Sequence, residues 1–203
     1  MKFLSIAALA LAAATPAYAT LIDFEAVTSF SSINEFYNGG ADSAGALGPA
    51  LGISFTDDAL AIANDSLGPY FSNAPSPLSV MSAVGSNATM NVALGFGQAI
   101  SFWYSSSEIF DNGVEVWSGL NGTGTLLASL NLAKNAQDGC NGTPYCHFDQ
   151  LSSSFSGVGH SVTFGNSPGA AFDNVAISAV PEPTSALLVA LGVAGLFLAR
   201  RRA

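Results

Sequence analysis

"GVEVWSGLNGTGTLLASLNL" runs from Gly113 to Leu132 and reads as two strands joined by a turn. Along Gly113–Gly119 the side chains alternate, Val114 and Val116 to one side, Glu115 and Trp117 to the other. A period of two is the mark of a strand with one face buried. Thr125–Leu132 is a second apolar run. Between the two, Asn121-Gly122-Thr123-Gly124-Thr125 supplies residues that accept a left-handed backbone at low cost, as tight hairpins require.

The same grammar recurs along the chain. Leu21–Glu25, Leu51–Phe55, Leu78–Val84, Ala88–Phe96, Ala99–Ser105, Ser161–Gly165 and Ala171–Ser178 are short apolar or alternating runs bounded by Gly, Pro, Asn and Ser. In Ala99–Ser105 the alternation puts Phe102 and Tyr104 on one face and Trp103 on the other. No segment holds a 3.6-residue apolar period over three turns, so long helices are not expected in the middle of the chain. The expectation is an all-β domain over residues 20–179, an antiparallel two-sheet β-sandwich of jelly-roll-like form. Twelve of the chain's fourteen phenylalanines lie in this stretch and supply its core. Pro69–Pro77 reads as a loop. The N-x-S/T triplets at Asn64, Asn87, Asn121 and Asn141 read as turns.

Charge narrows the partners. The chain has 203 residues, net charge −9 and only 9% charged residues. Four of its five basic residues, Lys2 and Arg200 to Arg202, lie in the terminal segments, which leaves Lys134 alone against thirteen acidic side chains from Asp23 to Asp173. Nucleic acid and anionic membrane surfaces both need clustered cations, and neither is expected to bind the middle of the chain. Residues 1–19 read as a signal peptide: Lys2 as the basic start, Phe3–Ala14 as the apolar stretch, Ala17-Tyr18-Ala19 as the cleavage site before Thr20. In an exported chain the only two cysteines, Cys140 and Cys146, are expected to form a disulfide across Asn-Gly and Thr-Pro turn residues. A zinc site recruiting His147 is the alternative. It lacks an adjacent fourth ligand, the other histidine being His160.

The chain closes on "VPEPTSALLVALGVAGLFLARRRA", residues 180–203. Thr184–Ala199 carries no charge, and its sixteen residues would span roughly 24 Å as a helix, at about 1.5 Å per residue. That is the short end for a single transmembrane helix, which needs about 20 residues. The arginines would hold its end at the cytoplasmic side. The segment resembles a PEP-CTERM sorting signal in its ordered Pro181-Glu182-Pro183, short apolar helix with glycines, and Arg200-Arg201-Arg202. The resemblance implies an exosortase as partner, which recognises Pro181–Pro183, cuts near them and frees the domain from the inner membrane of a Gram-negative, polysaccharide-producing bacterium. The arginines then hold the tail until it is cut. Upstream, "SFWYSS", "FSGVGHSVTFG", "AFDNVAIS" and the cysteine-bearing insertion resemble the β-sandwich ectodomains that such proteins carry.

Catalytic signatures are weaker. A glycosidase needs two carboxylates across a cleft, and Glu108, Asp111 and Glu115 offer themselves without a spacing that pairs them. Neither histidine sits in a nucleophile motif and there is no G-x-S-x-G, so the chain is read as non-enzymatic. No cofactor is required. The one metal expected is a structural calcium held by Asp23, Glu25 and Asp173, hard oxygen ligands near the first and last strands. For carbohydrate, Trp103, Trp117 and Tyr145 are the aromatic candidates, since rings stack on the apolar faces of sugars. The functional expectation is an exported surface or extracellular protein with a structural or adhesive role in the exopolysaccharide or biofilm layer. A carbohydrate-binding module is the second reading and a glycan hydrolase the third.

Overall fold

A computed structural model describes residues 19–178. The strands are β1 (Ala19–Ile22), β2 (Ser31–Ser32), β3 (Ile53–Phe55), β4 (Ala59–Ala63), β5 (Ser79–Ala83), β6 (Thr89–Phe96), β7 (Ala99–Ser105), β8 (Phe110–Trp117), β9 (Leu126–Leu132), β10 (Asp149–Ser154), β11 (Gly159–Thr163) and β12 (Ala171–Ser178). No helix occurs among the described residues. One sheet runs β10-β7-β12-β5-β4-β2 with β1 also on β12, and the other runs β3-β6-β11-β8-β9. Every pairing of named strands is antiparallel. The chain forms the expected two-sheet sandwich.

The deciding hairpin folds as its sequence demands. Val114 faces Leu130 and Val116 faces Ala128 across β8 and β9, and both valines are wholly buried. In the loop, the Ser118 N–H donates to Thr125 O (3.0 Å) and the Gly119 N–H to Thr123 O (2.9 Å). Asn121, Gly122 and Gly124 take φ of +56°, +65° and +84°. A Cβ at Gly122 would lie 2.8 Å from Thr163 Cγ2, so the loop's approach to the sheet needs glycine there.

Between the sheets Phe102 and Phe172 of the first meet Phe164, which follows β11 of the second. The ring centroids are 5.7 Å apart for Phe102–Phe172 and 4.8 Å for Phe164–Phe172, packed edge to face. Met81, Met90, Ile53, Val162 and Leu132 complete this layer. Each such side chain contributes roughly 1.5–3 kcal/mol on burial, and Phe102 and Tyr104 face inward as the alternation required.

Three strands lack the expected sequence signal: β2, β4 and β10. The first expected strand also ends early, at Ile22 instead of Glu25. The chain turns at Phe24, whose φ is +62° and whose N–H donates to Tyr37 Oη (3.0 Å) while its ring enters the core. The expected signal helix (residues 1–19) and transmembrane helix (within 180–203) lie outside the described residues, except that Ala19 opens β1.

Strand β12 joins the ends of the domain. On one side it pairs with β7. On the other, Ala171 and Phe172 pair with β5, and Val175 to Ser178 pair with β1, Ser178 directly opposite Ala19. The register breaks between Asp173 and Ala176, where Asn174 has a φ of +48°.

Candidate functional site

The outer face of the larger sheet is not open to solvent throughout. A second apolar cluster forms on it, Phe71, Val80, Phe148 and Ala171 with Tyr70, Trp103 and Tyr145 packed against them. Trp103, expected on the outward face, is there, half-buried beneath the loops instead of standing free. Phe71 and Tyr145 form a parallel bridge between the loop after β4 and the cysteine-bearing loop after β9. Tyr145 Oη donates to Gly169 O (2.5 Å), which fixes the ring.

Cys140 and Cys146 form the expected disulfide, Cα–Cα 6.0 Å, so their thiolates are not available to the alternative zinc site. The loop they close is tied to the sheet by backbone and amide bonds. Cys146 and His147 N–H donate to Ala136 O (2.8 and 3.2 Å), and Asn135 and Ala136 N–H both donate to Ser106 O (2.9 Å). Asn135 is buried; its Oδ1 accepts the Ser106 N–H (2.7 Å) and its Nδ2 donates to Tyr104 O (3.1 Å) and Asp149 Oδ2 (2.9 Å). That Asn135 bond, with the His147 contact (3.0 Å), holds the Asp149 carboxyl below the usual range despite the opposing effect of burial. Between this loop and the turn at Ser107 lies a cleft of about 330 Å³ lined by Ser107, Lys134, Ala136, Gln137, Pro144 and Tyr145. Among the described residues the one ion pair is His147–Asp149, so Lys134 enters the cleft without a carboxylate partner.

Asp23, Glu25 and Asp173 do converge, around Ser76, but as acceptors of protein donors. Asp173 is fully buried; Oδ2 accepts the Ser76 N–H (2.7 Å), Oδ1 the Asn174 N–H (2.7 Å), and the Ser76 hydroxyl lies against Oδ1. The same hydroxyl donates to Asp23 O (3.0 Å), and Glu25 Oε1 accepts the Leu78 and Ser79 N–H groups (2.8 and 2.9 Å). Burial raises the Asp173 pKa, the nearby Glu25 charge adds to that, and the Ser76 and Asn174 bonds oppose it. Burial likewise raises the neighbouring Tyr37 phenol, with Asp23 adding to it. Among the described residues no group of three or more His, Cys, Asp or Glu side chains is placed to hold a metal ion.

Trp117 and Glu115 are half-buried on the outer face of the smaller sheet. The Asn121-Gly122 loop folds back over that face, with the Gly122 N–H donating to Ser161 Oγ (3.0 Å) and Ser161 Oγ donating to Gly119 O (2.6 Å). Trp117 Nε1 and Thr163 Oγ1 are shielded there with no hydrogen-bond partner among the described residues. Trp117 is therefore no open stacking platform. Glu108, just before β8, and Asp111, near its start, are exposed. Of the aromatic candidates, Tyr145 lines the cleft beside the cysteine loop. Lys134, Gln137, Ser107 and Pro144 were not singled out as ligand contacts from sequence, although Lys134 stands out there as the lone cation of the domain.

One comparison concerns the end of the chain. Residues 179–202 match the PEP-CTERM protein-sorting motif. The match begins one residue after β12 ends and contains Pro181, Glu182, Pro183 and Arg200 to Arg202. No curated protein matches the chain. Among solved structures, a family 29 carbohydrate-binding module from Piromyces equi is similar over 82% of this chain and 93% of its own, at 8% identity and a TM-score of 0.41. The carbohydrate-binding module CsCBM6-3 from Clostridium stercorarium, in complex with cellobiose, is similar over 63% of this chain and 93% of its own, at 18% identity and a TM-score of 0.37. Neither likeness transfers a ligand to this chain.

Proposed function

We propose that this is an exported surface protein whose PEP-CTERM motif delivers it to an exosortase. The β-sandwich is released into the exopolysaccharide or biofilm layer, where it acts as a structural or adhesive element without a catalytic step. The observation that carries this reading is the motif at residues 179–202, which starts where the last strand stops. Two residues, Ala179 and Val180, separate the sandwich from Pro181, so a cut near the motif frees the domain with almost no stalk. The disulfide and the sparsely charged, acidic surface suit a protein working outside the cell.

Mass spectrometry of the secreted protein, in strains with and without exosortase, tests this. The expected C-terminus lies close to Pro181–Pro183 in the first strain, and the protein stays with the membrane in the second. A secreted form ending at Ala203 overturns the reading. Carbohydrate binding is the second reading, favoured by the disulfide-framed cleft with the Tyr145 ring at its wall.

A further inference from the structure

We infer that the cleft between the Cys140–Cys146 loop and Ser107 binds a uronate-type sugar residue within a sparsely charged polysaccharide. The inference rests on the polysaccharide-layer reading above and names the ligand class within it. The cleft joins two features that a carboxylated pyranose needs. Tyr145 and Pro144 give it ring surface, and the Tyr145 ring is pre-set by its bond to Gly169 O, so little motion is lost on binding. Lys134 gives it an ammonium with three donors and no carboxylate partner among the described residues. Ser107 and Gln137 supply further polar groups for hydroxyls.

The charge count sets the ligand's density of charge. Lys134 is the only basic residue between Asp23 and Asp173, against thirteen carboxylates. Within a Debye length of about 8 Å at physiological salt, one ammonium can hold one carboxylate. Beyond it the acidic surface repels a chain that carries a charge on every residue. The ligand is therefore a mainly neutral polymer with occasional uronates. The disulfide gains a role here: it fixes Cys146 and His147 against Ala136 O and so holds the cleft wall in place.

The test is calorimetric titration of the full-length chain in mild detergent with a trisaccharide of two galactose residues and one galacturonate and, separately, a galactose trisaccharide. The acidic probe is expected to bind at least tenfold more tightly. Lys134→Ala is expected to bring it to the level of the neutral probe with an unchanged melting temperature, while Lys134→Arg keeps most of the preference. Gln137→Ala is expected to weaken both probes. Equal affinities, unaltered binding in Lys134→Ala, or no binding of either probe would overturn the assignment. The exosortase-dependent C-terminus is read separately, so the cleft can fail while the export route stands, or the reverse.

Discussion

Asp42 and Asp173 are buried carboxylates of one chain with opposite titration behaviour, and the difference lies in their neighbours. Asp42 accepts three backbone N–H groups, from Thr28, Ala44 and Ala46, each at 2.9 Å. Burial raises its pKa, but those bonds outweigh it and the net shift is downward. Asp173 has hydrogen bonds too, yet deeper burial and the Glu25 charge leave its pKa raised. The two therefore act on stability in opposite senses. The Asp42 contribution is fully present above its ordinary value of 3.8 and is lost as pH falls through its lower folded value. The Asp173 contribution is fully present below 3.8 and is lost as pH rises through its higher folded value. Asp42→Asn turns one acceptor into a donor facing an N–H, which is expected to cost about 1–3 kcal/mol at pH 7. The gap between wild type and variant should shrink as pH drops below 3.8, because the unfolded wild-type chain then takes up a proton that its folded carboxylate resists until its lower folded value is reached. Urea unfolding at pH 7, 4 and 3 reads this directly. A gap constant across that series means the N–H cage does not select the ionised form.

The cysteine loop is the element whose removal separates covalent from packing stability. It closes a sequence separation of only six residues, so its chain-entropy contribution is about 2 kcal/mol. Replacing both cysteines by serine is expected to lower the melting temperature by roughly 4–8 °C, without loss of the sheets, since Phe71, Phe148 and Tyr145 still pack beneath. Scanning calorimetry of the double variant checks it, and global unfolding at room temperature would contradict it. The disulfide could be read from sequence because an exported chain with two cysteines offers one pairing. The elements that escaped sequence reasoning have physical reasons. Strand β4 is Ala-Leu-Ala-Ile-Ala, with Ala59 and Ala61 wholly buried, so its inward face carries no bulky or β-branched signal. Strand β10, Asp-Gln-Leu-Ser-Ser-Ser, lies at a sheet edge and places only Leu151 against the core. Two-residue β2 is the other edge. The cleft at Ser107 and Lys134 escaped for a different reason. Ser107 and Lys134 are brought together with Pro144 by Ser106 and Asn135, whose bonds are between residues distant in sequence.

At the scale of the molecule, the two ends of the sandwich meet. Ala19 and Ser178 are directly opposed in the β1–β12 pair, the positions that a two-residue turn joins in an ordinary hairpin. The described chain therefore enters the domain and leaves it at one corner. The β1 contribution is more than a tether, because Ile22 is wholly buried and β1 completes the flank of β12 that β5 leaves open. A circular permutant tests the adjacency. Ser178 is linked to Ala19 by a few glycines, and new ends are opened between Ser66 and Leu67, where Leu67 is 86% exposed. Only a short loop closes and another opens, so the stability should change by no more than about 1–2 kcal/mol. The melting temperature should then shift by a few degrees, about 2–4 °C per kcal/mol for a domain of this size. Dichroism and calorimetry of the permutant give the answer. Failure to fold with this link, alongside normal folding of a variant nicked at the same loop but left unlinked, would show that the ends are not held side by side.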